Sequence, residues 1–366
     1  MGISVESRSG TVLTIGWNEV TGAIGDSVTV LPLIVAIAAL TELSLAVMLM
    51  WFGICQIIWG LYYGVPISVE PMKALAALII AGAISTGELL VAGLLLGLIL
   101  LVAGYTGALE RLGDAIGSPV VRGVQLGVAL VLLETGVQLG FADPRLAVLA
   151  ALIALGVIGL GYWNLSPVVV LLIGGGIATF RTGLPSPRLP TTDGMLLFGW
   201  TDLTFATAEA AVAQLAMTLG NAALATSVLL SDYFKRDISA DELSTSMGVM
   251  NLSAIPFGAF PMCHGSGGVA GKYAFGARTA GANVILGVGY VTAAVLGVGL
   301  VAAYPLAMLG VILVVIAVQL GRTSLDQTDE YVFVITVGVV GLLFDLGVAF
   351  VAGLIGYHVL QRRKHT

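Results

Sequence analysis

The chain has 366 residues, of which 58% are hydrophobic and only 10% charged, with a mean hydropathy of +1.04. A soluble domain carries roughly 25% charged residues, so this composition excludes a water-facing globule and makes the bilayer the solvent. The net charge of −6 comes with no basic stripe, which leaves no case for a nucleic-acid partner.

A membrane span needs about 20 mostly apolar residues. Apolar runs broken by Gly, Pro and charge clusters predict spans near 23–41, 43–62, 69–83, 87–106, 118–139, 146–161 and 165–180. A second set is predicted near 206–230, 243–258, 262–275, 281–300, 303–320, 330–344 and 346–361. The polar stretch 181–205 is the longest break. It divides the chain into a first repeat over 1–180, a linker over 181–205 and a second repeat over 206–366. The opening MGISVESRSG lacks the basic start and apolar run of a cleaved leader, so the first span is expected to direct insertion.

Two predicted elements are unlike ordinary spans. Residues 64–83 read GVPISVEPMKALAALIIAGA and residues 256–275 read PFGAFPMCHGSGGVAGKYAF. Each opens with a proline-bearing extended stretch, because the residue before a proline is pushed out of the helical region. Each is expected to become helical just after Pro71 or Pro261, since proline suits a first helical position. The helical remainder is too short to cross, and non-helical backbone at membrane depth is tolerated only when it lines a cavity or is buried in protein.

Pro71-Met72 and Pro261-Met262 stand 190 residues apart, Pro119 and Pro305 stand 186 apart, and half the chain is 183. These agreeing offsets predict an internal repeat. Seven elements per repeat is odd, so the second copy is inverted, and paired interrupted helices mark a transporter's binding site. The expected fold is an all-α polytopic membrane protein with fourteen transmembrane elements arranged as seven plus seven inverted repeats. With both termini in the cytoplasm, only Arg145, Arg181 and Arg188 fall outside and Lys73 lies within an element. The other Lys and Arg, Arg122 and Lys272 among them, fall on or near the inner side, as the positive-inside rule favours.

The first N–H groups of a broken helix lack partners and carry partial positive charge, so two facing ends form an anion site. Here those ends are Met72–Lys73 and Met262–Gly265, taking in Cys263 and His264 and followed by Ser266. Glycines at 265, 267 and 268 let an anion approach the backbone; the rival reading is a close-packing face. Lys73 supplies charge for a dianion, or pairs structurally with Glu70 or Asp26. Asp26 and Glu70 are candidate proton carriers or structural partners of Lys73. Gln214, Thr218 and Asn221 recur at helical spacing and share one face, which lines a pathway or glues helices. His264 is a relay or a packing residue. Cys55 and Cys263 read as buried small hydrophobes, and Cys263-His264 offers too few ligands for a metal. No GxxxxGK[ST], HExxH or GxSxG motif occurs, so the chain is expected to use no cofactor and catalyse no reaction.

VPISVEPMKALAA, FGAFPMCHGSGGVAGKYAFGART, VVRGVQLG and QLAMTLGN together resemble the molybdate transporter family, a branch related to the sulfate permeases. The resemblance runs from about Gly22 to the last span. It implies a core domain moving against a gate domain, with the third and tenth elements placing their N-termini around the substrate and the first and eighth alongside. It also implies a molybdate or sulfate substrate; symport with protons is expected from the carboxylates Asp26 and Glu70, the composition places the chain as a multi-pass protein of the cell membrane, and a homodimer is a candidate assembly. Glu70 departs from the family, which usually has glutamine there, and only QRRKHT follows the last span where the sulfate permeases carry a regulatory domain. A sulfate permease is the nearest rival. A nucleobase permease, using Glu70 or Glu209, and an anion channel are weaker ones. An intramembrane enzyme would need a nucleophile or metal constellation that the residues do not offer.

Overall fold

The computed structural model describes residues 3–6, 12–109, 111, 116–183, 199–296 and 303–364. Most of the linker expected over 181–205, and the end of the span expected over 281–300, lie outside the described residues. A short antiparallel hairpin, β1 (Ile3–Glu6) and β2 (Val12–Ile15), precedes the helices. The first helix, α1 (Trp17–Leu40), therefore starts six residues earlier than the hydropathy predicts. It bends by 41° between Trp17–Val28 and Val30–Leu40. Pro32 is the cause, because it lacks an N–H and its ring crowds the carbonyl four residues back.

The chain continues through α2 (Leu45–Tyr63), β3 (Glu70–Pro71), α3 (Lys73–Ile80), α4 (Thr86–Thr106), α5 (Ser118–Gly140), α6 (Pro144–Gly159) and α7 (Ser166–Thr182). The second half holds α8 (Phe205–Phe234), α9 (Ala240–Ala254), β4 (Met262–Cys263), α10 (Ser266–Ala274), α11 (Gly281–Leu296), α12 (Leu306–Asp326), α13 (Tyr331–Leu343) and α14 (Leu346–Lys364). Among the described residues six helices are long and apolar enough to cross a membrane, or seven with the bent α1. The others are shorter; α3 and α10 have only 8 and 9 residues. Large apolar side chains face outward along the helices, as with Phe180, 93% exposed, and Val332, 82% exposed. In water such a surface would aggregate; in lipid it is the expected outer face. The chain is a multi-pass membrane protein.

Local signals set the helix ends. Ser85 and Ser239 each form a reciprocal capping box, with Glu88 and Glu242, at the starts of α4 and α9. Gly64 and Gly107 close α2 and α4 in the left-handed conformation, at φ 68° and 67°.

Helices of the first half pack on helices of the second: α2 on α11, α4 on α9, α1 on α10 and α11, and α5 on α12, α13 and α14. Several crossings run glycine to glycine. A Cβ at Gly53 would lie 2.6 Å from Gly287 O, and one at Gly287 would lie 2.5 Å from Gly53 O. Gly136 and Gly310 relate α5 and α12 in the same reciprocal way, at 2.7 and 2.5 Å. Without a hydrophobic drive inside lipid, such close backbone approach is what holds helices together.

Candidate functional site

Pro66 and Pro71 bias the residues before them to extended backbone, and 65–72 run buried through the protein interior as a non-helical segment. This segment meets its counterpart in a two-residue antiparallel ladder, Glu70 opposite Cys263 and Pro71 opposite Met262. Met72 N donates to Pro261 O at 2.9 Å. The other edge of β4 is closed by a side chain. Met262 N donates to Asn251 Oδ1 at 2.8 Å, and Asn251 Nδ2 donates to Met262 O at 2.6 Å and to Met247 O at 2.7 Å. A buried amide thus replaces a third strand, and no ladder group of Met262 is left unpaired at membrane depth. The pattern corrects one expectation: helix does not begin just after Pro261. Met262 and Cys263 are strand, Gly265 is the cap, and α10 starts at Ser266. In the first half the expectation is met closely, with α3 starting at Lys73.

The two helix N-termini are already occupied, by different groups. At α3, Gln214 Oε1 accepts from Ala74 N at 2.8 Å and from Leu75 N at 3.4 Å. The Gln214 amide is held in turn by Thr218 Oγ1, 2.9 Å from its Nε2. At α10, Glu70 Oε1 accepts from Gly268 N at 2.7 Å and from Ser68 Oγ at 3.3 Å. The other Glu70 oxygen pairs with Lys73 Nζ. Ser266 Oγ, in the first turn of α10, donates to Asn221 Oδ1. One helix, α8, therefore reaches both half-helices, through Gln214 on one and Asn221 on the other.

The glycines of α10 explain how a carboxylate comes so close. A Cβ at Gly265 would lie 2.1 Å from the Glu70 carboxyl carbon, and one at Gly268 would lie 2.1 Å from Ser68 Oγ and 2.2 Å from Asp26 Oδ1. The anion these two glycines admit is one of the protein's own. Gly267 is exposed and faces open space. Among the polar residues of the site, Lys73, its side chain 17% exposed against 1% for Glu70, and the partly exposed Ser266 and Asn221 are open to the surroundings.

The helix carrying the polar stripe is not regular. Residues Thr218–Ala225 form a π-helical segment, and Thr226 Oγ1 donates to Asn221 O. The wider turn means that Gln214, Thr218 and Asn221 do not lie in the single α-helical row their spacing predicts. π-Segments inside helices are frequent at functional sites, and this one turns Asn221 toward α10.

A second buried ion pair lies beside the first. Lys272 Nζ is 3.0 Å from Asp26 Oδ2, and both side chains are fully buried. Gln56 Nε2 donates to Asp26 Oδ2 at 2.8 Å, and Ser68 Oγ to Asp26 Oδ1 at 2.6 Å. Lys272 Nζ also donates to Gln56 Oε1 at 2.9 Å and to Asn283 Oδ1 at 3.1 Å. Lys272, expected on or near the inner side, is thus a buried partner of Asp26, which corrects the suggestion that Asp26 pairs with Lys73. Ser68 touches both carboxylates, so the two ion pairs form one hydrogen-bonded chain, Lys73–Glu70–Ser68–Asp26–Lys272. Gln56, Ser68, Asn251, Lys272 and Asn283 all escape the sequence reading. The available signal is a polar residue inside an apolar run, as in GICQIIWG and VMNLSA.

The remaining candidates are buried. His264 Nδ1 lies 2.8 Å from Ser68 O, an acceptor only, so Nδ1 carries the proton; Nε2 is 2.7 Å from Ser246 Oγ. Both ring nitrogens are engaged, and the ring ties the extended segment before β3 to α9. Met72 and Met262 are fully buried, and the Cys263 thiol is free and buried. Glu209 is elsewhere, lining an apolar groove between α8 and α14. Among the described residues no cluster of His, Cys, Asp or Glu could hold a metal ion.

Taken together, the site brings together helix-end N–H groups, a partly exposed ammonium and a buried carboxylate. That set can hold an anion.

Residues 18–132 and 206–320 match the family described as "Molybdate transporter of MFS superfamily". The two stretches begin 188 residues apart. The chain is 28% identical to "Molybdate transporter 2" of Arabidopsis thaliana over 94% of this chain and 88% of that protein. It is 29% identical to "Molybdate transporter 1" of the same plant over 95% and 89%. It is also similar in fold to the transmembrane domain of a cyanobacterial bicarbonate transporter, BicA. That likeness has a TM-score of 0.65 at 18% identity, covering 96% of this chain and 99% of that one. Murine Slc26a9, an anion transporter solved in the inward-facing state, gives 0.65 at 14% identity, covering 96% and 69%.

Proposed function

The chain belongs to the molybdate transporter family, and on that premise we propose that it imports a tetrahedral oxyanion by secondary active transport, molybdate first and sulfate as the alternative. The family is one of transporters, not enzymes.

One observation carries the proposal: each half-helix N-terminus is covered by a side chain that an incoming anion can replace. The oxyanion takes over the N–H groups of Ala74 and Leu75 from Gln214, and that of Gly268 from Glu70, with Lys73, Ser266 and Asn221 at its rim. Each helix end supplies about half a positive charge. Lys73 brings the site close to balance for a dianion, but an ionised Glu70 cancels it. Glu70 therefore takes up a proton as the substrate binds. Import is thus coupled to protons.

The packing supports an inverted repeat, 1–180 against 206–366. When each helix is exchanged for the one seven places on, α2 with α11 becomes α9 with α4, and α5 with α13 becomes α12 with α6. On this reading α1–α4 and α8–α11 form the core, α5–α7 and α12–α14 the gate, and alternating access is their relative movement. The protein sits in the cell membrane with both termini cytoplasmic, and a homodimer is the expected assembly. The test is uptake of labelled molybdate into proteoliposomes with sulfate and uracil as competitors. Competition by sulfate but not uracil, with faster uptake at lower external pH, supports the proposal. Competition by uracil, or uptake that follows a sodium gradient and ignores pH, contradicts it.

A further inference from the structure

VVRGVQLG places an arginine in the second turn of α5, and nothing in the binding site uses it. Arg122 Nη1 donates to Gln125 Oε1 at 2.9 Å. Its Nε is buried and has no hydrogen-bond partner, and among the described residues it forms no ion pair. A guanidinium inside a span without a counter-charge is costly, and such a group marks an ion pathway by default.

Arg122 lines a cavity of about 560 Å³ between α5, α8, the start of α9 and α14. The wall opposite is the π-helical segment of α8, which contributes Leu219, Gly220, Leu224 and Ala225. The same segment gives Thr218 and Asn221 to the site described above. At Gly220 the two helices touch: an added Cβ would lie 2.7 Å from Val121 Cγ1, next to Arg122. Tyr357, two turns from the end of α14, closes the side toward the C-terminus, where its ring leaves room only for a glycine at 117. The same turns of α8 thus border the candidate substrate site and a largely apolar cavity in which Arg122 stands with Ser118, Ser227 and Tyr357 as the other polar side chains.

We propose that this cavity is a second oxyanion site, with Arg122 as its cation. The transported ion rests there after leaving the helix ends, on the side of the membrane to which α14 runs. The inference rests on the oxyanion reading above. It also gives α8 a reason for its π turn, which directs Thr218 and Asn221 to the first station and the small and apolar residues Gly220, Leu224 and Ala225 to the second.

Equilibrium dialysis of the full chain in neutral detergent with labelled molybdate tests it. The unmodified protein should bind two ions per chain, Arg122→Gln one and Lys73→Met one, with thermal unfolding of each variant followed in parallel. Arg122→Lys should retain the second ion at about tenfold to a hundredfold lower affinity, as loss of a charge-assisted hydrogen bond implies. If Arg122→Gln still binds two ions, or the unmodified protein binds only one and loses it in Lys73→Met, the proposal is overturned. If Lys73→Met binds two and Arg122→Gln one, the helix-end reading fails and this one stands. A phosphate on a lipid headgroup has the same chemistry. If Arg122→Gln loses binding of phosphatidylglycerol but keeps both molybdate ions, the cavity is a lipid site and the proposal is overturned.

Discussion

Lys272 and Lys73 each pair with a carboxylate buried in the protein, yet their surroundings differ in kind. Lys272 and Asp26 are fully buried, join α10 to α1, and have their remaining hydrogen bonds met by Gln56, Asn283 and Ser68. Lys73 and Glu70 are three residues apart in the chain, and Lys73 keeps part of its side chain exposed. A closed, saturated pair has nothing left to offer a substrate and acts as a fastener. An open pair whose carboxylate also caps a helix can be exchanged for another anion. The contrast separates scaffold from site more sharply than burial alone.

The contrast is broken most directly from the closed side. Lys272→Met takes the ammonium away from the buried Asp26, and removal of one partner of such a pair costs about 3–5 kcal/mol. Little folded protein is expected, read as the loss of a monodisperse peak in detergent. Lys73→Met should leave that peak in place. Equal instability of the two variants would erase the distinction. Next in size is Gly268→Ala, whose methyl group collides with Ser68 and Asp26. Overpacking of this kind costs about 1–3 kcal/mol, and because it pushes Glu70's neighbours it should also abolish uptake by the protein that still folds. Normal uptake by that variant would show that the α10 N-terminus is not used.

Gln214→Ala removes the cap of α3, a loss of about 0.5–2 kcal/mol in stability. On the proposed exchange of the oxyanion for Gln214, molybdate should protect this variant against heat more than it protects the unmodified protein. Equal protection would mean that Gln214 and the substrate do not compete for the same N–H groups. The smallest effect is expected at His264. Its ring is fully engaged in tying β3's lead-in to α9, so His264→Gln should alter stability without moving the pH profile of uptake. A displaced profile would return His264 to the proton pathway.

The residues at the prolines were legible because proline acts locally. Pro71 marks the start of α3 to within two residues, and Glu70, Lys73 and Gln214 follow from it and from a polar stripe in an apolar run. Strand pairing of two residues leaves no periodicity to read, so Met262 and Cys263 passed for helix. The π-helical segment has no residue pattern of its own either. Lys272 was misplaced for a different reason: AGKYAFGART looks like a basic helix end at the membrane surface, and only the shortness of α10 keeps that lysine inside. Its partners, Asp26 and Gln56, come from the other half of the chain, and no local signal connects them. The family resemblance supplied the substrate class, but it pointed to glutamine at position 70. The role of Glu70 as the cap of α10 could only be seen once Gly268 was placed beside it.

The account stands on the exchange of Glu70 for substrate at a site charged by Lys73. Accumulation of labelled molybdate in proteoliposomes at several external pH values, compared among the unmodified protein, Lys73→Met and Glu70→Gln, tests it most directly. Lys73→Met should not accumulate molybdate at any pH. Glu70→Gln should bind it and accumulate it with a flattened pH dependence. A Lys73→Met protein that concentrates molybdate normally, or a Glu70→Gln protein with an unchanged pH profile, would contradict the account.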